Sequence, residues 1–232
     1  MSITALQIVT PPATLPVSLT EAKRHLRVSS SAEDAHINDL LNGAIAWAER
    51  ESRRRFITQT VKLSMDRFPR RGEFVFAFGH NFENFDFRRT LDFGRSFDPR
   101  ARDRFMFLPG GVTTAVDKID YIDETGAPQV LTGPTSTAPG TDYQEDLSDD
   151  EGAFVMPPDD AVWPGTNLGV VNAVVIQFQV GYSDDPAGVP ADIKAAIKFR
   201  IGDLFNIRDS TTKNPIGTTA SNLLEQHRIQ EF

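Results

Sequence analysis

The sequence predicts an α+β protein, with a small helical bundle made from the N-terminal and C-terminal helices, a β-rich middle insertion and an extended C-terminal tail. Near both ends of the chain apolar residues recur every three or four positions, which is the period of a helix. Between the ends apolar and polar residues alternate in short runs separated by Gly and Pro, which is typical of strands and turns. The expected divisions are the N-terminal helices of the bundle in 1–56, the insertion in 57–182, the long C-terminal helix in 183–209 and the tail in 210–232.

The N-terminal region is expected to begin irregularly and then become helical. Residues 1–17 contain three prolines and are expected to be an extended lead-in rather than regular structure. The run Ser18-Leu19-Thr20-Glu21 matches a capping box, which predicts a short helix from Leu19 to Leu26. A stronger helix is predicted over about 32–52, because seven apolar residues share one face. These residues are Ile37, Leu40, Leu41, Ala44, Ile45, Trp47 and Ala48.

An arginine cluster, Arg53, Arg54 and Arg55, follows this second helix. Cations suit the negative end of a helix dipole, so the cluster is interpretable as a solvated helix end. The alternative is a contact with an acidic partner or with DNA.

The middle of the chain is predicted to be β-rich. Alternation at a period of two predicts a half-buried strand over 58–66. Further strands are predicted at 105–108, 116–122, 129–131, 142–144, 153–156 and 170–180, the last being the most apolar. The sequence Asp123-Glu124-Thr125-Gly126 between two of them indicates a hairpin turn. Acidic residues between 145 and 151 lack the spacing of a calcium loop, so we interpret them as a solvated turn.

A loop or hairpin at 70–107 is rich in phenylalanine and arginine, with ten of the seventeen phenylalanines of the chain. Aromatic and Arg side chains are enriched at the centres of protein interfaces, so we predict a subunit or partner interface here. The candidate interface residues are Phe82, Phe85, Phe87, Arg88, Arg89, Phe93, Arg95 and Phe97. Ordinary core and turn structure is an alternative. A stacking platform for single-stranded nucleic acid is a third, which the interspersed aspartates disfavour.

The C-terminal region is predicted to contain a long amphipathic helix from Pro190 to Arg208, whose apolar stripe packs against the N-terminal helices. Charged residues on this helix are candidates for subunit contacts, namely Lys194, Lys198, Arg200 and Asp203. A polar linker then leads to a short motif that is either a docking tail or a frayed terminus. The motif residues are Leu223, Leu224, His227, Arg228, Ile229 and Phe232.

Composition and the absence of certain motifs argue against several classes of function. A net charge of -8 argues against a general nucleic-acid binder, and the lack of cysteine excludes disulfides, thiolate metal sites and thiol nucleophiles. The four histidines do not belong to a known catalytic or metal-binding motif, so we expect no enzyme activity, no metal and no cofactor. No apolar run approaches the roughly 20 residues of a membrane span, and the first residues lack the pattern of a signal peptide. We therefore expect a protein that works away from membranes, in the compartment where it is made.

Short motifs follow one another in a characteristic order over nearly the whole chain. They are the runs at 17–28, 46–50 and 119–126, Trp163-Pro164, the run 179–182 leading into 189–197, Asn206-Ile207-Arg208, and Leu223-Leu224 followed by His227-Arg228. In this order they resemble the head-to-tail connector (adaptor) proteins of tailed bacteriophages and related gene-transfer agents. The phenylalanine-rich stretch is longer than this family pattern leads us to expect, which indicates an elaboration of this chain.

The resemblance implies a structural virion protein that forms a ring of about twelve subunits beneath the portal, with closed cyclic symmetry. Such an adaptor joins the capsid to the tail or stopper and continues the DNA channel. The implied partners are the portal protein, a tail or stopper (tail-completion) protein, other copies of the chain, and double-stranded DNA in passage. The implied location is the virion neck, after assembly in the host cytoplasm.

Within this resemblance the C-terminal motif would dock on the portal, and the arginine cluster would contact the DNA channel or an acidic partner. An acidic channel wall would repel phosphates and let DNA slide. Two alternatives remain, which are another virion ring protein, such as a stopper or tail-completion protein, and a nucleic-acid-binding module.

Overall fold

The computed structural model describes residues 3–69, 105–134, 142–158, 161–206 and 218–229. Within them the chain is α+β, and in sequence order helices precede and follow a β-rich middle, as the sequence predicts. The chain divides into two compact units. The sheet unit comprises Met1–Pro11 and Thr60–Val180, and the helical unit comprises Pro12–Gln59 and Gly181–Glu231.

The sheet unit contains a five-stranded sheet whose strands come from distant parts of the chain. Strand β1 is antiparallel to β2, and β4 is antiparallel to both β5 and β8. Its strands are β1 (Ile3–Thr10), β2 (Gln59–Met65), β4 (Thr113–Ile122), β5 (Pro128–Leu131) and β8 (Val174–Val180), in the order β1-β2-β8-β4-β5. The antiparallel register places Leu6 beside Leu63 and Ile119 beside both Ile176 and Leu131. Residues directly opposite each other on paired strands point to the same face of the sheet, and these apolar residues belong to the core of the unit.

A second sheet completes this core. Its strands are β3 (Met106–Pro109), β6 (Gln144–Asp146) and β7 (Gly152–Met156), in the order β3-β7-β6. Buried residues of both sheets belong to a single apolar cluster, to which Met106 and Val155 contribute from the second sheet. The ring of Phe68 stacks on Trp163 at a centroid distance of 4.8 Å and meets Tyr121 edge-on at 5.4 Å.

The expectation of an irregular lead-in is wrong for residues 3–10, which form β1 and pair with β2. The stretch is rich in β-branched residues, which favour strands, and Pro11 and Pro12 follow where the strand ends. The predicted strand at 170–180 also begins late. Residues 170–173 form a turn, Asn172 has a positive φ of 58°, and the strand starts at Val174.

The helical unit contains four α-helices among its described residues. They are α1 (Leu19–Leu26), α2 (Asp34–Ser52), α3 (Ala191–Asn206) and α4 (Thr218–Glu225). The predicted capping box is confirmed at the start of α1, where the Ser18 hydroxyl accepts from the Glu21 backbone and the Glu21 carboxylate accepts from the Ser18 backbone. Helix α3 packs against the other three, burying Ile193, Ala196 and Ile197.

Candidate docking segment

The C-terminal segment, residues 218–229, is where the sequence predicts docking to a partner. An extended conformation was expected, but the segment begins with helix α4 and folds onto the helical unit. Ala220 and Leu224 are completely buried, and Ile229 is nearly so. These three residues belong to the core of the unit. Burying a Leu or Ile side chain stabilises a fold by about 1.5–3 kcal/mol, so Leu224 and Ile229 stabilise the folded position of the segment.

Backbone hydrogen bonds hold the end of the segment against the end of α2. The Ile229 N–H donates to the carbonyl oxygen of Ser52 at 3.0 Å. The Nε atom of Arg54 donates to the carbonyl oxygen of His227. These contacts join residues more than 170 positions apart, so only the tertiary fold brings them together.

The arginine cluster therefore has contacts inside the helical unit. The Arg54 side chain is buried and holds the His227 carbonyl. Arg55 Nη1 lies 2.8 Å from the Glu49 carboxylate, whose other oxygen accepts from the backbone N–H of Phe56. Arg53 has a positive φ of 59° and terminates α2. In this conformation Arg54 and Arg55 stabilise the end of α2 and the C-terminal segment.

The His227 side chain adds a contact with the start of α3. His227 Nε2 lies 2.5 Å from the Asp192 carboxylate, in the first turn of α3. Partial burial acts to raise the pKa of Asp192, but the hydrogen bond and charge of His227 outweigh it and hold that pKa below its usual value. The charged form of Asp192 is thus favoured by the folded segment.

The remaining docking candidates lie closer to the surface. Leu223 and Arg228 are half-buried, and Arg228 Nη1 lies 3.5 Å from Glu225 and 3.9 Å from Glu51. Phe232 lies outside the described residues. Leu224 and Ile229 are therefore core residues in this conformation, while Leu223, His227 and Arg228 present part of their surface to solvent.

The charged candidates of α3 are half-buried. Lys194 Nζ donates to the Pro186 carbonyl oxygen at 3.0 Å. Hydrogen bonds from Ser18 chiefly lower the pKa of Glu21, and the positive charges of Lys198 and Lys194 lower it further. The positive charges of these two lysines thus favour the ionised form of Glu21 at the start of α1.

Arg200 and Asp203 lie further along α3. The guanidinium of Arg200 stacks over the Trp47 ring at 5.2 Å, which is a cation–π contact. Arg200 Nε and Nη1 and one Asp203 carboxylate oxygen are buried without a hydrogen-bond partner among the described residues.

The predicted interface in the phenylalanine-rich stretch, from Phe82 to Phe97, lies outside the described residues. At the end of that stretch Phe105 and Phe107 are described, and their rings contact Phe154 of β7 at 6.1 and 5.3 Å. These two phenylalanines are therefore part of the second sheet and its packing.

Among the described residues we looked for side chains placed to bind a metal ion or to catalyse a reaction. They include no group of three His, Asp or Glu side chains placed to hold a metal ion. An open cleft of about 290 Å³ in the sheet unit is lined by Phe68 and Trp163 with Arg67 and Glu124. The described residues that line it include no histidine and no pair of carboxylates that acid–base catalysis would use. Among the same residues, none of the helices has the length and apolar character to cross a membrane.

Two features of the segment are not predicted from the sequence, helix α4 and the contact of Asp192 with His227. The spacing of Ala220 and Leu224 is a helical i, i+4 pair, and two threonines stand where a helix could be capped. That signal is short, and the glycine and proline before it favour a linker. No local pattern in the sequence indicates the ion pair, because its partners are 35 residues apart.

Comparison with solved structures shows which proteins share this fold. A chain of the neck of an empty gene transfer agent particle, computed with C6 symmetry, matches with a TM-score of 0.68 at 17% identity. Chains from the virion of the native particle and from its neck, computed with C12 symmetry, match with TM-scores of 0.65 at 17% identity. Each match covers 99% of this chain and 97% of the other.

Comparisons by sequence found no matching protein-family model and no matching curated protein. The structural matches nevertheless extend over both units of the chain. The predicted resemblance is thus confirmed at the level of the fold, and this chain shares its fold with chains of gene transfer agent necks.

Proposed function

We propose that this chain is a structural neck protein, the head-to-tail adaptor that forms a ring beneath the portal and joins the head to the tail or stopper. The observation that carries the proposal is similarity over the full length to chains of gene transfer agent necks. Agreement over the full length includes the C-terminal segment as well as the sheets. A non-enzymatic role is consistent with a sequence that lacks a recognisable catalytic motif.

Within this proposal the C-terminal segment docks on the portal. Leu223 and Arg228 present part of their surface to solvent, and Phe232 follows at the end of the chain. A mixed apolar and cationic surface of this kind suits an interface, where aromatic and Arg side chains supply most of the binding energy. Leu224 and Ile229 would take part only if the segment left the helical unit.

The acidic balance of the chain fits a DNA conduit. A net charge of -8 gives a surface that repels phosphates on average, so DNA would slide past the ring rather than bind it. An image of the ring with a lumen lined mainly by arginine would contradict this part of the proposal.

The decisive experiment mixes the purified full chain with tail-less heads that contain the portal of the same particle. Electron microscopy should show an additional ring beneath the portal. Attachment to the tail side only would assign the chain to the stopper or tail-completion class. Binding to free DNA that weakens steeply with added salt, with no attachment to the portal, would instead indicate a nucleic-acid-binding module.

The docking role of the C-terminal end needs a deletion that preserves the helical core. Removing 222–232 would also remove buried Leu224 and Ile229, so loss of attachment would not be specific. Removing only 230–232 takes away Phe232 and leaves α4 complete. We expect weaker portal attachment with an unchanged urea midpoint. Gln226→Ala, at an exposed position of the same segment, is the matched control, and equal attachment of the deletion and this control would contradict the docking role.

A further inference from the structure

The two outer strands of the five-stranded sheet expose apolar side chains. On β1, Ile8 is 51% exposed and Val9 is 45% exposed, and on β5, Val130 is 65% exposed. In the part of the chain that the structure describes, no strand pairs with the outer side of β1 or β5. Among the described residues, each edge therefore combines an outer side that no strand pairs with and exposed apolar side chains.

Strand β1 lacks the charges and prolines that commonly protect an edge. Its eight residues include no charged residue and no proline. Natural edge strands are commonly interrupted by lysine, proline or an inward charge, because an open edge otherwise pairs with another chain. A long uncharged edge that a protein retains is expected to be covered in the functional assembly.

Strand β5 is a different kind of edge at the other side of the same sheet. It has four residues, begins with Pro128 and is held in place by the hairpin turn at Asp123. The Asp123 carboxylate accepts from the backbone N–H groups of Thr125 and Ala127, at 2.9 and 3.0 Å. The turn thus gives β5 a rigid position from which it can pair with a strand of another chain.

We propose that β1 of one subunit pairs with β5 of the next copy of this chain, so that the sheets of neighbouring subunits join edge to edge. This proposal rests on the proposed ring. A closed ring of more than two subunits requires a head-to-tail contact between two unlike surfaces of each subunit. The two outer edges of one sheet are unlike, face opposite directions and expose apolar residues, and the neck particles with similar chains were computed with C6 and C12 symmetry.

The absence of cysteine makes a direct test simple. The double variant Ile8→Cys/Val130→Cys places one thiol on each edge. Within one chain these positions are four strand spacings apart, about 19 Å, so a thiol-specific linker much shorter than this joins only different chains. The linker is applied to the purified full chain and to the chain attached to portal-containing heads. Denaturing gels should show a ladder that reaches many subunits.

Single variants and a matched pair complete the test. Each single variant should run as a monomer on the denaturing gel, because the linker needs one thiol on each of the two edges that meet. Val171→Cys/Val130→Cys is the control pair, since Val171 is 74% exposed in the same unit but lies outside the outer strands. An equal ladder from this pair would overturn the proposal. Dimers from Ile8→Cys alone would overturn it too, because they show two-fold pairing of β1 with itself.

The results also separate this inference from the proposed function. Rings beneath the portal without a ladder would overturn the edge pairing and leave the adaptor role intact. A ladder with no attachment to the portal would support the edge pairing and contradict the adaptor role. Absence of both a ladder and rings would overturn the edge pairing.

Discussion

Replacing Leu224 by alanine tests whether the C-terminal segment belongs to the core of the helical unit in solution. The Leu224 side chain is completely buried in the apolar cluster that includes Ile193 and Ile197 of α3. Truncating a buried leucine removes its transfer free energy and leaves a cavity, which together lower the free energy of unfolding by about 2–5 kcal/mol. Because domains are stable by only about 5–15 kcal/mol, this loss is readily measured.

The two tryptophans allow each unit to be followed separately. Trp47 lies in the helical unit and Trp163 in the sheet unit, and the chain has no others. In a Trp163→Phe background, fluorescence during urea unfolding reports the helical unit alone. With a denaturant slope of about 1–3 kcal/mol per molar urea, Leu224→Ala should lower the midpoint by roughly 1 M or more.

A matched substitution shows whether the effect is specific. Gln226→Ala lies two residues away at an exposed position and should change the free energy of unfolding by no more than about 0.5 kcal/mol. Equal midpoints for Leu224→Ala and Gln226→Ala would refute the packing of α4, and the segment would then be a free tail before docking. Portal attachment measured on both variants would separate loss of the core from loss of the docking surface.

Three further predictions concern backbone geometry and charge. Gly181 has a φ of 144°, and a Cβ there would lie 2.5 Å from the Thr58 nitrogen, so Gly181→Ala should destabilise the helical unit by more than about 1 kcal/mol in urea unfolding. A Cβ at Gly43 in α2 meets open space, so Gly43→Ala should stabilise the unit by about 0.5–1 kcal/mol. Equal effects of the two substitutions would contradict the backbone conformation at Gly181. Because the pKa of Asp192 is lowered in the folded chain, its contribution to the free energy of unfolding is present at neutral pH and is lost as the pH falls through and below about 4. Thermal unfolding of Asp192→Asn should therefore depend less on pH in that window than that of the unsubstituted chain, by less than about 1 kcal/mol. Identical pH profiles would rule out the contact with His227. Hydrogen bonds from the Thr125 and Gln129 side chains and the Ala127 backbone lower the pKa of Asp123 to about 2, so Thr125→Val should raise it towards the usual value in an NMR titration, and no change would show that the turn is not formed.

Much of the local structure is predictable from the sequence. The capping box at Ser18, the hairpin turn at Asp123 and the alternation in β2 each depend on residues within a few positions of one another. Hydrogen bonds and side-chain patterns of such short range form with little help from the rest of the chain. The resemblance to neck adaptors rests on the order of these local elements, and the fold comparison agrees with it.

The candidate site was predictable only in part. The sequence singled out the C-terminal motif, but not that Leu224 and Ile229 are buried or that Arg54 holds the His227 carbonyl. Short helices are marginal in water, so α4 depends on packing against α3 rather than on its own sequence. Its local signal was correspondingly weak.

The sequence by itself determined the periods of the helices and strands, the capping box, the hairpin and the order of elements that indicates a neck protein. Only the tertiary structure decided that residues 3–10 form an edge strand and that the C-terminal segment folds onto α2 and α3. The physical reason is the distance along the chain between the partners. Strand β1 gains its backbone hydrogen bonds from β2, fifty or more residues away, and Ile229 gains its hydrogen bond from Ser52. Local residue patterns carry no information about such partners, because these contacts form only when the chain has folded.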